Sequence, residues 1–559
     1  MFRLLAAALA LLTLPLVASA NWQFNGVPVS TAPHYQADPV IVTDGAGGAI
    51  IAWIDYRNGD YDIYAQRLNS AGVPQWTADG VPVCVQPGNQ ITASMVSDDV
   101  GGAVIVWHDA RNNINNGLEV YAQRVNGSGT ALWTANGEIV SAASANQSDP
   151  VVVKSANNFV IAWADFRNLG ISDIYAQAMN ASGAPQWTAD GVALTAIAGH
   201  QWNPQLAPDN VGGAVVTWED LRGGGNDIYA RRIDQLGNVQ WSANGVIVCN
   251  AANDQYRPQI VGDGAAGGII AWFDWRGGAP DIYMQRIDSS GSALWTANGT
   301  AICTAPFAQD SPSLVQDAGG GATVVWADKR NGANADIYAQ HVNNSGVPYF
   351  AADGVAVCTA AGEQFSPRIT RDPASAGIVV WFDRRAGINN SDVYAQKLDY
   401  LDGSSQWTAN GVVLCTEPHN QEGCKAVSDG SGGAIVAWAD LREGNYWDVY
   451  AERVNATPTA VEHTPAVTAL RVLPNHPNPF TGTTTLEFVL PQAGDVEIGV
   501  YDVSGRRVAT QHLTQATAGS HSVMMSSNAI DGTPLPSGVY FCRVRAGAET
   551  VTKKMVIAR

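Results

Sequence analysis

Short apolar runs alternate with clusters of Gly, Asp and Asn along most of this chain, and one unit shows the pattern. Gln36-Ala-Asp-Pro-Val-Ile-Val42 reads as a strand interrupted by proline. Asp44-Gly-Ala-Gly-Gly48 is a hairpin turn, because glycine reaches the positive φ angles that tight turns need. Ala49-Ile-Ile-Ala-Trp53 is a near-continuous apolar run, as expected of a strand covered on both faces. A polar loop follows from Asp55 to Asp62. Ile63 to Leu68 then alternates like a half-buried strand. After a turn at Asn69–Gly72, the segment Gln75 to Val83 supplies a fourth, irregular strand. No helical periodicity intervenes. Four short strands per unit is the content of one propeller blade.

The unit recurs eight times. Trp53, Trp107, Trp163, Trp218, Trp272, Trp326, Trp381 and Trp438 follow one another at intervals of 54 to 57 residues. Each is followed by aspartate at the second position and arginine at the fourth, from Asp55 and Arg57 to Asp440 and Arg442. A fixed period of this length marks a repeat architecture. The last copy stops at its third strand, Asp448 to Val454, while Trp22-Gln-Phe-Asn-Gly-Val-Pro-Val29 at the other end matches the missing fourth strand. The N-terminal strand can therefore complete the last unit and remove an open sheet edge. The expected fold is all-β: an eight-bladed propeller closed by the N-terminal strand, followed by an immunoglobulin-like sandwich.

The repeated residues resemble the TolB-type propeller repeat, through Pro39, Asp44-Gly45, Ile50 to Arg57 and Asp62-Ile63-Tyr64. The last turn resembles the tryptophan-docking turn of quinoprotein propellers, with Gly72, Gly129 and Gly183 before Trp76, Trp133 and Trp187. The resemblance implies architecture and leaves activity open, because propellers host many functions. The calcium and quinone ligands of quinoprotein dehydrogenases do not map onto this chain.

The two ends carry transport signals. Met-Phe-Arg, an apolar run from Leu4 to Val17 and small residues at Ala18-Ser-Ala20 read as a signal peptide cleaved between Ala20 and Asn21. The run is too short for a membrane helix, and the mature chain shows no other. Beyond Asn455 a polar, proline-bearing linker leads into short strands at sandwich spacing. Pro474-Asn-His-Pro-Asn-Pro-Phe480, Tyr501-Asp-Val-Ser-Gly-Arg-Arg507, Pro536-Ser-Gly-Val-Tyr-Phe541 and Lys553-Lys-Met-Val-Ile-Ala-Arg559 resemble the C-terminal sorting domain of type IX secretion substrates. That resemblance implies type IX machinery as partner, passage through the periplasm of a Gram-negative bacterium, and a final place on the outer-membrane surface or in the medium. The expected divisions are a signal peptide over 1–20, a propeller over 21–456, a linker over 457–465 and a sorting domain over 466–559.

Charge and chemistry narrow the function. The net charge of −19 becomes −20 once Arg3 is removed. Such an acidic chain does not suit nucleic acid, which needs clustered Lys and Arg. No zinc, nucleophile-elbow or phosphate-loop motif occurs, and no cofactor or metal is indicated. Cys84, Cys249, Cys303, Cys358 and Cys415 share one repeat position and read as small buried apolar residues. Cys415 and Cys424 are close enough in sequence for a disulfide in an oxidising compartment.

The eight Asp–Arg pairs are expected to hold blades, as are third-strand acids such as Asp62 and Glu119. The recurring glutamines Gln36, Gln90, Gln147, Gln201, Gln255, Gln309, Gln364 and Gln421 either bond a neighbouring blade's backbone or line a pore. Function should sit where the repeats differ. Trp202, Tyr256 and Phe365 each follow such a glutamine, and Tyr56, Phe166 and Trp275 each lie between Asp and Arg. On one face these aromatics suit a sugar or peptide ligand, or are buried between blades. A monomeric binding scaffold is the expected function, with a secreted hydrolase of glycans or peptides as the alternative.

Overall fold

A computed structural model describes residues 22–558 apart from 113–116, 169, 373–374, 459–469, 473–474, 476, 491, 517–518 and 530–531. The expected signal peptide with its Ala20–Asn21 cleavage point, and most of the expected linker, lie outside the described residues. Contacts divide the chain into two compact units, one of residues 1–440 and 448–457, the other of 441–447 and 458–559. The described residues are all-β, with no helix.

The first unit consists of eight four-stranded antiparallel sheets, numbered here in chain order. Sheet 1 contains β2 (Gln36–Thr43), β3 (Ala49–Asp55), β4 (Asp62–Leu68) and β5 (Val81–Cys84), while β1 (Val27–Ser30) belongs to sheet 8. All seven residues of β3 are buried, which explains its unbroken apolar run. The β2–β3 hairpin is fixed by Asp44, whose Oδ1 accepts the Ala46 and Gly48 N–H groups at 2.8 Å. Gly48 lies so close to the Leu68 carbonyl that a Cβ would sit 2.2 Å from it. The fourth strand is shorter than its sequence suggests: only Val81–Cys84 is regular.

Each first strand carries a bulge. In β2 the register shifts between Ala37 and Val40, and Asp38 has φ +50°. Thr92, Asp149, Asn203, Arg257, Ser311 and Ser366 repeat this left-handed backbone, with Gly423 at the eighth position. Bulges bend a strand and re-aim its side chains. These side chains therefore differ from sheet to sheet while the backbone does not.

Neighbouring sheets share cores. The Trp76 indole donates to the Gly127 carbonyl of the next sheet at 3.1 Å and lies against Gly129. Trp22 does the same to Ser70 at 3.1 Å and to Gly72, where a Cβ would meet the indole at 2.8 Å. β1 pairs antiparallel with Asp448–Val454, Val27 opposite Ala451. One apolar cluster joins Ile51 and Trp53 of sheet 1 to Ile435 and Ala437 of sheet 8, and Arg453 Nη1 donates to the Ser70 carbonyl at 3.0 Å.

The second unit has a three-stranded sheet (Arg471–Val472, Thr483–Leu490, Gly519–Ser526) and a four-stranded sheet (Arg507–Ala516, Gly494–Tyr501, Gly538–Ala546, Glu549–Ile557). Leu486, Phe488, Ile498 and Val544 are among its core residues. The sequence pattern misses Arg507–Ala516, because this edge strand is mostly exposed and polar.

Candidate functional site

The Trp-x-Asp-x-Arg residues build sheets. Every motif tryptophan donates its indole N–H to its aspartate at 2.8–3.0 Å, and all eight aspartates are fully buried. In the seven copies from Arg57 to Arg385 the guanidinium pairs with that aspartate, as Arg57 does at 2.5 Å. It also donates to a carbonyl before the fourth strand, such as Asp79 at 2.8 Å, and lies over a third-strand tyrosine, Tyr64 at 3.9 Å. The carboxylate has no free lone pair for a ligand. Asp62 and Glu119 are likewise tied to loops, by Asn58 at 2.8 Å and Asn112 at 2.9 Å.

Three expectations need revision. The recurring glutamines are fully buried and do not line a pore. Their amides turn back to the carbonyls of the turn just before them, as Gln90 does to Gly88 and Gln201 to Gly199, both at 2.8 Å. The repeated cysteines are more than apolar filler. Cys249 Sγ donates to Asp274 of the next sheet at 3.6 Å and accepts from Arg276 at 3.1 Å, and Ser30 and Ser141 accept from Arg57 and Arg167 at the same place. Burial pushes the Cys249, Cys303 and Cys358 thiols up to about 12. Cys415 and Cys424 remain thiols, so the expected disulfide is not formed. Cys415 is instead directed at Asp440, 3.6 Å away.

The loops before the first strand and after the second do meet. The Tyr56 N–H donates to Tyr35 at 2.8 Å, Phe166 to Asn146 at 2.9 Å and Trp275 to Asp254 at 2.9 Å. Four candidate aromatics fall on sheets 3, 4 and 5. Phe166 lies 6.3 Å from the His200 ring, which stacks on Trp202 at 5.5 Å. Tyr256 is half-buried on sheet 5, and Trp275 is 40% exposed beside Asp254. The other two lie apart: Tyr56 is on sheet 1 against Tyr61, 4.9 Å away, and Phe365 is on sheet 7 beneath Arg384.

Glu219 joins the cluster and escapes a search for aromatics. Its buried carboxylate accepts the Trp202 indole, the Asn203 amide and the Arg257 backbone N–H, each at 2.8 Å. Three donors to one carboxylate lock Trp202 and tie sheets 4 and 5 together. Burial raises the Tyr256 phenol above its ordinary range, with Asp254 and Glu219 adding to the effect. Glu219 is the variable residue of Trp-x-Asp. The same position holds Ile54, Ala164, Phe273, Ala327, Phe382 and Ala439, but His108 in sheet 2. His108 is buried, and burial lowers its pKa. A polar residue at an otherwise apolar repeat position was the available signal for both.

Below the bulges the first strands border a cavity of about 490 Å³. Thr92, Ser94, Asp149, Asn203, Gln205, Arg368 and Lys425 contribute its polar lining. Asn203 connects it to Trp202. Among the described residues, no group of His, Cys, Asp and Glu could hold a metal ion, and no helix is long and apolar enough to cross a membrane.

Residues 476–558 match a known family, the secretion system C-terminal sorting domain. The second unit thus bears a sorting tail, which implies export to the cell surface or release. No curated protein matches the chain. Solved structures similar to it include an ulvan lyase bound to a saccharide of GlcA and Rha3S, with 10% identity, 70% of this chain and 98% of that chain covered, and a TM-score of 0.44. Another is PorZ, a surface component of the type-IX secretion system of Porphyromonas gingivalis, with 14% identity, coverage of 94% and 70%, and a TM-score of 0.31. A third is an alpha-L-arabinofuranosidase from Fusarium graminearum with an iminosugar inhibitor, with 10% identity, coverage of 78% and 97%, and a TM-score of 0.34.

Proposed function

We propose that the first unit is an eight-bladed propeller closed by β1, and that it is a binding scaffold for a glycan or peptide outside the cell, carried there by the type IX route. The closure reading rests on the pairing of β1 with the last sheet and on the apolar cluster shared by sheets 8 and 1. The binding reading rests on the asymmetric cluster of Phe166, His200, Trp202, Tyr256 and Trp275, set where the otherwise uniform sheets differ. Flat aromatic faces beside amide and hydroxyl groups suit sugar rings and extended peptides, because they offer large contact area at low entropic cost. Glu219 serves by holding Trp202 in place. Three donors already engage its two oxygens.

The test is a screen of the purified protein against glycan and peptide arrays, repeated with Trp202→Ala. The reading predicts a ligand whose binding weakens about 10-fold or more in the variant while the protein stays folded at the assay temperature. Binding equal in both proteins would remove this cluster from the site. Release of product from a bound polysaccharide or peptide would replace the scaffold with a hydrolase.

A further inference from the structure

The cavity beneath the bulges is electrically uneven. Four residues after each recurring glutamine, the eight sheets carry Val40, Ser94, Val151, Gln205, Gln259, Ser313, Arg368 and Lys425. Only the last two are charged. Both are cations, they stand on adjacent sheets 7 and 8, and both line the cavity.

Neither forms an ion pair within the described residues. The guanidinium of Arg368 makes one hydrogen bond, from Nη1 to the Pro367 carbonyl at 3.0 Å. Lys425 Nζ meets no protein acceptor among the described residues. Elsewhere in this unit the pattern is different: Arg67, Arg124, Arg232, Arg286, Lys397 and Arg453 each hold a turn aspartate at 2.6–3.0 Å. Two like charges facing one cavity repel, and partial burial adds a desolvation cost that no partner offsets. The Lys425 ammonium registers both effects: burial first, then Arg368, pull its pKa down to about 8, against opposing pulls from Cys424 and Asp38. The lining carboxylate, Asp149, is on sheet 3 and accepts from the Ser148 hydroxyl at 3.1 Å.

A bound anion would remove this repulsion and give both cations a partner. We infer that Arg368 and Lys425 form an anion subsite in the central cavity, and that the ligand is an acidic glycan, a uronate or a sulfate ester. Guanidinium and ammonium groups recognise carboxylate and sulfate oxygens through charge-assisted hydrogen bonds. The rest of the surface suits sugar better than an acidic peptide. Thr92, Asn203, Ser311 and Ser366 place short hydroxyl and amide side chains on the bulges, where sugar hydroxyls find donors and acceptors. The aromatic faces of Trp202 and Tyr256 offer stacking surfaces for the rings. This inference rests on the binding role proposed for the aromatic cluster and adds the charge of its ligand.

Calorimetric titration of the full chain with four probes tests it: oligogalacturonate, a sulfated carrageenan oligosaccharide, a neutral cello-oligosaccharide and oligoglutamate. One of the two acidic glycans should bind, more weakly as salt is raised, and which one binds separates uronate from sulfate. Arg368→Gln and Lys425→Gln should each weaken it about 10- to 100-fold. Arg368→Lys should recover part of the loss, and melting of the variants should stay level or rise, because repulsion is relieved. Neutral-glycan binding that depends on Trp202 but not on Arg368 or Lys425 would overturn the anion subsite and leave the aromatic site standing. Binding of oligoglutamate with neither acidic glycan would overturn the glycan assignment. Binding of an acidic glycan, undiminished in both glutamine variants, would place it elsewhere on the protein and overturn the inference. Failure of all four probes, together with negative glycan and peptide arrays, would overturn both readings.

Discussion

Replacing Glu452 by Gln should stabilise the first unit, and the gain should grow with pH. In sheets 1, 2, 3, 5, 6 and 7 the equivalent residue is glutamine. Gln66, for example, donates its amide to the Thr77 carbonyl at 2.8 Å and accepts the Trp76 N–H at 2.9 Å. In sheet 8 the position holds Glu452, whose buried carboxylate accepts the Gly26 N–H at 3.1 Å, just before β1. Burial, opposed by hydrogen bonds from the Gly26 and Arg453 backbone, pushes its pKa from 4.5 up to about 8. The folded-state value lies above the unfolded one, so the folded protein binds this proton more tightly. Its contribution is complete below pH 4.5 and is lost as pH rises through about 8. At about 1.4 kcal/mol per unit, keeping the carboxyl protonated costs about 3 kcal/mol at pH 7. Glutamine carries no such linkage and supplies an N–H donor without having to take up a proton.

Thermal unfolding between pH 5 and 9 reads the effect. The variant should melt about 3 °C higher at pH 7 for an array of this size, with the difference shrinking towards pH 5 and growing towards pH 8.5. A difference that is constant with pH, or reversed at pH 8, would refute the argument, because it would show that burial of this carboxyl does not govern the joint between β1 and the last sheet.

Deleting residues 21–30 should lower the melting temperature and produce oligomers in size-exclusion chromatography, because it bares the Asp448–Val454 edge and removes the buried Trp22. Asp220→Ala should cost about 3 kcal/mol in denaturant unfolding, since it orphans the Trp218 indole and the Arg222 guanidinium; unchanged stability with lost ligand binding would contradict the structural role. Residues 466–559 fused to an unrelated periplasmic cargo should carry it to the cell surface, whereas residues 21–456 expressed alone should stay in the periplasm; surface display of the truncated chain at full-length levels would refute the sorting role.

Much of the fold was legible because the chain is an alignment of itself. The apolar run in β3 is buried on both faces, and the Asp44 turn is closed by its own carboxylate, so local pattern and tertiary environment agree. The eightfold Asp–Arg pair was readable as structural for the same reason. What escaped depended on non-local geometry. The bulge at Asp38 and its equivalents leaves only Pro39 as a sequence trace, because the left-handed turn is imposed by the need to bend a strand. The polar edge strand Arg507–Ala516 has too little apolar alternation to be seen. The fate of the glutamine amides is set by carbonyls two to four residues earlier, which spacing alone does not reveal.

Of the candidate aromatics, sequence could supply only position within a repeat. Sharing that position does not bring residues together: Trp202 and Tyr256 are on adjacent sheets, whereas Phe365 lies two sheets beyond Tyr256. What unites a site in a repeat fold is departure from the repeat in consecutive copies. Sheet 4 departs twice, with Trp202 and Glu219, and these two departures bond each other. Sheets 7 and 8 depart together at Arg368 and Lys425, and both residues reach the same cavity. A lone departure such as His341, which replaces the usual arginine opposite Asp317, still does the arginine's work by bonding that aspartate at 2.7 Å. Paired departures in neighbouring sheets that no structural contact absorbs are therefore the better guide to function here, and Arg368 with Lys425 is such a pair.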